Sequence, residues 1–158
     1  MAYKKKSWFE KLHDSKGLPK VVRLEGKQKD KWGNAVTMIV PAPVEVDEIM
    51  RSVPKGKVIT INRIREKLAQ KHQTDVACPI TTGIFSWISA HASVDEENEG
   101  KKKVTPWWRT LKQGGELNPK YPGGINEQAK RLRKEGLVIV PGKKKNTVVV
   151  KDFETHLK

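Results

Sequence analysis

The sequence predicts a mainly α-helical fold with one small β-hairpin, a winged helix-turn-helix spanning residues 44–151, and three observations carry that prediction. First, Val46, Ile49, Met50 and Val53, then Ile61, Ile64 and Leu68, form two apolar stripes at helical spacing on either side of Pro54, Lys55 and Gly56. Second, Cys78 and Pro79 open a third helix, because proline is tolerated in a first turn, and Ile80, Ile84, Trp87, Ile88 and His91 follow helical spacing behind them. Third, residues 137–140 and 147–150 are β-branched runs flanking a lysine-tipped turn, which reads as a hairpin.

Each element follows from local chemistry. Pro54 ends the first helix, since the residue before a proline is pushed out of helical geometry. Thr60 can cap the second helix, whose Arg63, Arg65, Glu66 and Lys67 face water and which fades near His72. The third helix would turn Ile80, Ile84, Trp87, Ile88 and His91 inward and present Thr81, Thr82, Gly83, Ser86 and Ser89 outward. Residues 95–103, an acidic run meeting three lysines, read as an exposed loop. A fourth helix starts at Gly124 or Asn126, turns Ile125, Ala129 and Leu132 inward, and stops at Gly136.

Residues 1–43 are lysine-rich and broken by glycine and proline, with a short β-like run at 37–40. They read as a partly ordered basic extension that either docks through Trp8, Phe9, Leu12 and Trp32 or solvates itself; residues 152–158 read as a tail.

A chain of 158 residues can bury one principal core. Its formal charge of +14, from 32 Lys and Arg against 18 Asp and Glu, makes a polyanion the natural partner. Cys78 is the lone cysteine, so no internal disulfide framework exists, and a lone thiol suits a reducing compartment such as the cytoplasm or a nucleoid. The N-terminus lacks the apolar run of a signal peptide, and nothing is apolar enough to span a bilayer. His13, His72, His91 and His156 lack ligand partners at useful spacing, which predicts no metal. The paired glycines at 114–115 and 123–124 read as turns rather than nucleotide cradles, and no cofactor is expected.

A second helix of such a motif lies against a groove with small polar residues outward, while a basic wing reaches backbone phosphates. The expected DNA contacts are therefore Thr60, Thr81, Thr82, Ser86 and Arg109, with Lys143, Lys144 and Lys145 on the wing. The lysine tip also reads as a solubilising turn.

The segments 53–58, 105–109, 117–125 and 131–136 occur in an order that resembles the DNA-binding domain of alkylguanine DNA alkyltransferases, over roughly residues 44–140. Those enzymes carry a Pro-Cys-His-Arg motif whose thiolate takes an alkyl group from a flipped guanine, with a Glu hydrogen-bonded through the His. Here Pro106 and Arg109 match, whereas the Cys and His positions are Trp107 and Trp108. Indole is neither a usable nucleophile nor a proton acceptor, so alkyl transfer is not expected at this position.

A tryptophan at the reactive position is similar to the alkyltransferase-like branch, which binds alkylated DNA without repairing it, although that branch ordinarily keeps the His. The resemblance implies a base pocket made of Trp107, Trp108, Tyr121, Pro122, Gly123 and Glu135, with double-stranded DNA as partner and alkylated guanine as the sensed lesion. It also implies that the family's arginine finger and tyrosine are replaced by Pro79 and Ile61. Read from the residues alone, Trp108 suits packing, Glu135 a local cap or pair, and Trp107 either stacks on a base or fills the cavity. Two other readings stand beside this one: a general nucleic-acid or interaction module with a filled pocket, and residual methyl transfer through Cys78.

Overall fold

The computed structural model describes residues 5–158, which form a mixed α/β fold rather than a mainly α one. Three helices, α3 (Pro43–Arg51), α4 (Ile61–His72) and α5 (Pro79–Asn98), pack around the main core, into which Val46, Met50, Val53, Ile64, Leu68 and Ala90 are buried. Local chemistry sets their ends. Pro43 sits in the first turn of α3, and the Glu45 carboxylate accepts the Ala42 N–H at 3.0 Å. Thr60 caps α4 by accepting the Arg63 N–H at 3.3 Å, and Gln73 closes it in a left-handed conformation at φ 56°.

Residues 20–36, expected to be irregular, are built into the fold, and the β-like run at 37–40 is a strand. Strand β1 (Lys20–Arg23) pairs antiparallel with β2 (Thr37–Val40), with α2 (Lys27–Lys31) between them. Strand β2 then runs parallel to β4 (Val76–Ala77), just ahead of α5. Asp75 fastens this edge by accepting the Val36 and Thr37 N–H groups at 2.8 and 3.1 Å. The earlier helix α1 (Trp8–His13) packs on α5. A composition-based reading missed the sheet because its strands are short and its partner, β4, lies in a different part of the chain.

The acidic run is also different from expectation: α5 continues through Asp95, Glu96 and Glu97, leaving only residues beyond Asn98 outside it. Glu97 is held by Arg131 at 2.9 Å, so a tertiary ion pair extends the helix where composition alone suggests a loop.

A second core of Val58, Leu111, Leu117, Ala129, Leu132, Leu137 and Val150 lies beneath α6 (Gly124–Lys134) and the hairpin of β6 (Ile139–Pro141) and β7 (Val148–Val150). The two-stranded pairing of β3 (Ile59–Thr60) with β5 (Thr110–Leu111) joins the two cores. The tail is part of this body. His156 C=O accepts the Val58 N–H at 2.9 Å, and Val58 C=O accepts the Lys158 N–H at 3.0 Å. Phe153 lies so close to Gly115, at φ 82°, that a Cβ there would sit 2.4 Å from its ring. Among the described residues no helix is long and apolar enough to cross a membrane.

Candidate nucleic-acid interface

The segment 105–109 is pinned from both sides. Pro106 leads into a single 3-10 turn, Trp107–Arg109, that drives Trp107 into the main core at 0% exposure. Its ring lies edge-on to Trp108 and Tyr121, at centroid distances of 5.9 and 5.8 Å. The Arg131 guanidinium stands 5.2 Å from the Trp107 ring and 4.9 Å from that of Trp108. The Trp107 Nε1–H is buried without a hydrogen-bond partner, so this side chain is held by packing and the Arg131 contact rather than by hydrogen bonding. An indole therefore occupies the interior where the resemblance places a base pocket.

Trp108 is half-buried and differently used. Its Nε1 donates to Glu135 Oε2 at 2.9 Å. Arg109 grips the same carboxylate, with Nε at 2.9 Å from Oε1 and Nη2 at 2.7 Å from Oε2, while its Nη1 donates to the Val53 carbonyl at 2.6 Å. The Gly56 N–H completes the set at 3.2 Å. Burial alone would raise the Glu135 carboxyl, but donation from Arg109, Trp108 and Gly56 holds it below the ordinary carboxylate range. Arg109, expected on DNA, is thus committed inside the protein, with only 14% of its side chain exposed. Glu135 ties the turn after α3 to the Trp-Trp segment.

Tyr121 is buried, and its hydroxyl donates to Ser86 Oγ at 3.1 Å; burial pushes the phenol up to about 12. Pro122 and Gly123 lie instead in a surface cleft of about 380 Å³ with Val94, Asn126, Glu127, Lys130 and Arg131. Gly123 takes φ 77° ahead of α6, and a Cβ there would meet the Glu127 side chain at 2.5 Å, so glycine is required.

Helix α5 is rotated relative to expectation. Thr82, Ser86, Ser89 and Ser93 are buried, while Ile80 is 68% and Ile84 46% exposed. Thr82 donates to the Cys78 carbonyl at 2.6 Å and Ser86 to that of Gly83 at 2.8 Å. Ser89 donates at 2.6 Å to the buried Asp47, which also receives Thr105 Oγ1 at 2.7 Å. Small side chains let α5 approach α3 closely, and this polar network decides the rotation. Thr81 is half-buried with its hydroxyl oxygen enclosed and unpartnered, and Thr60 is engaged as the α4 cap. Of the eight residues expected on DNA, Lys143, Lys144 and Lys145 at the hairpin tip are the fully exposed ones.

The open face of α5 is therefore apolar. Ile80, Gly83, Ile84 and Trp87 form one wall of a cleft of about 440 Å³, closed on the other side by Asn118 and Lys120. Trp87 Nε1 donates to the Lys120 carbonyl at 3.1 Å and fixes that wall to the loop before Tyr121. Sequence reasoning missed this cleft because it assigned its isoleucines to the core. It also missed Gln128, fully buried, which donates to the carbonyls of Trp108 and Thr110 at 3.1 and 3.0 Å and accepts the Asn118 N–H at 2.9 Å. A lone glutamine in a basic helix gives no warning of that role.

Two crystal structures share this fold. One is S. pombe Atl1 in complex with damaged DNA containing O6-carboxymethylguanine, with a TM-score of 0.51, 18% identity, and coverage of 73% of this chain and 93% of that one. This chain shares its fold with Atl1. The other is S. pombe ATL in complex with DNA, with a TM-score of 0.50, 16% identity and the same coverage. No protein-family model matches the sequence, and no curated protein matches it. The shared fold with Atl1 concerns the course of the backbone; the side chains around Trp107 have to be read from this chain.

Proposed function

We propose that this chain is a non-enzymatic, alkyltransferase-like DNA-binding protein whose α4–α5 pair and β6–β7 hairpin act as a winged helix-turn-helix. The observation that carries the reading is Trp107, a buried indole at the position where the resembling enzymes hold a reactive thiolate. It can neither attack carbon nor accept a proton. The fold shared with a structure bound to damaged DNA and the +14 charge support duplex DNA as the partner.

In this reading the open face of α5 approaches the duplex, and Lys143, Lys144 and Lys145 contact phosphates without reading sequence. Ile80 and Ile84 offer no hydrogen-bonding groups to base edges, so α5 recognises shape and apolar surface. An alkylated guanine, the lesion that the resemblance and the Atl1 complex suggest, would meet the cleft beside Ile84 and Trp87, because Trp107 fills the interior. Residual methyl transfer has little support, since Cys78 packs with Leu24, Ala35 and Met38 in a cluster apart from Trp107.

The filled interior also favours a second reading, a general nucleic-acid-binding module indifferent to lesions. Competition between an alkylguanine duplex, the same duplex undamaged and a matched RNA at one salt concentration separates them. Tighter binding of the alkylated duplex supports lesion sensing. Equal affinity for both duplexes rejects it and leaves the general module, and no binding at low salt overturns both.

A further inference from the structure

We propose that the segment around α1 is a second phosphate-gripping arm that flanks the open face of α5, an inference that rests on the DNA-binding reading above. Helix α1 is fixed in place. Trp8 stacks on His91 at a centroid distance of 4.4 Å and stands edge-on to Trp87 at 4.7 Å, while Leu12, 3% exposed, packs with Ile88 and Ala92. These contacts cover the later turns of the α5 outward face and leave Ile80 and Ile84 uncovered.

At that boundary Lys5, Lys6, Lys11 and Lys16 surround a cavity of about 450 Å³ whose inner wall is Pro43, Phe85 and Ile88. The one carboxylate in its lining, Asp14, is paired with Lys6, so four ammonium groups meet a single acid. Lys11 is further steadied by the Trp8 ring, with Nζ 4.5 Å from its centroid. Ile88 follows Ile84 by one helical turn on the same stripe of α5, so the lysine rim continues the face already read as the groove side. Lysines are compact point charges without the fork that reads a particular group, which suits sequence-independent contact with successive backbone phosphates.

The test uses the full chain and a short undamaged duplex, with affinity followed by anisotropy across a salt series. K5Q/K11Q/K16Q leaves the Lys6–Asp14 pair in place. K101Q/K102Q/K103Q removes equal charge beyond the far end of α5, about 30 Å from its start by helix rise. Each lost phosphate contact lowers the slope of log K against log salt by about 0.9, so the arm variant loses roughly 2 to 3 and the comparator less than about 1. A slope changed no more in the arm variant than in the comparator overturns the arm while duplex binding stands. A wild-type chain that ignores duplex overturns both.

Discussion

Replacing Trp107 with alanine tests whether this side chain is the keystone of the interior or a bystander. A buried tryptophan removes on the order of 200 Å² from water, worth about 5 kcal/mol at roughly 25 cal/mol per Å². Against that, the enclosed Nε1–H has no partner, and its burial costs about 1–3 kcal/mol that the alanine variant recovers. The balance is about 2–4 kcal/mol, and incomplete collapse of the space between Tyr121 and Trp108 adds about 1–2 more. The expected loss for Trp107→Ala is therefore about 4 kcal/mol, read as a lower urea midpoint at unchanged slope. Trp107→Phe keeps most of the packing and deletes the unpaired donor, so it should cost less than half as much. The reasoning fails if Trp107→Ala costs under about 1 kcal/mol, which would place the indole where the core does not need it.

Four further outcomes follow from the same geometry. Glu135→Gln strips the carboxylate from the buried Arg109 and should destabilise by about 3 kcal/mol, with no loss if the pair is dispensable. Because hydrogen bonds hold the Glu135 and Glu45 carboxyls below their ordinary 4.5, both stabilise fully above that pH. Their contribution is lost as pH falls through the folded-state values, so Glu135→Gln should flatten the acid limb of a stability–pH curve. Ile80→Asp should weaken duplex binding at least about tenfold through charge repulsion, with the thermal midpoint unchanged because the side chain is 68% exposed. Incubation with methylated DNA followed by mass spectrometry should leave Cys78 unmodified, and an adduct there would revive methyl transfer.

The sequence made the stop of α3 and the starts of α4 and α5 legible because such chemistry is local: Pro54 follows the end of α3, Thr60 sits before a periodic run, and Pro79 falls in a first turn. The hairpin was legible for the same reason, since β-branched runs flank a turn. The rotation of α5 was not. Ile80 and Ile84, like Thr82, Ser86 and Ser89, recur at helical spacing, and hydrophobicity alone selects the isoleucines for the core, where of that stripe only Ile88 lies buried. What decides otherwise is Asp47, more than thirty residues away, whose buried carboxylate needs Ser89 and Thr105 as donors. Arg109 was misread in the same way. Its pairing with Glu135 spans 26 positions, and nothing near Arg109 in the chain reveals that its charge is already satisfied.

The Glu135 network frames the 107–109 segment without placing a nucleophile or a proton acceptor at Trp107 or Trp108. In the resembling enzymes a Glu reaches the thiol through an imidazole, which accepts a proton on one nitrogen while donating from the other. Trp108 supplies only a donor here: its Nε1–H reaches Glu135 at 2.9 Å, and indole has no second nitrogen with which to take a proton. Through Arg109 and its own acceptor oxygens, Glu135 holds the turn at Val53 and Gly56 against the 107–109 segment. Trp107 supplies volume and joins Tyr121, Met50 and Ile64 in one core. Tyr121 passes that rigidity to Ser86 on α5, and Gln128 passes it to Asn118 beside the open cleft. The two indoles thereby brace the surface that faces outward, where Ile80, Ile84 and Trp87 line one cleft and Lys5, Lys6, Lys11 and Lys16 another.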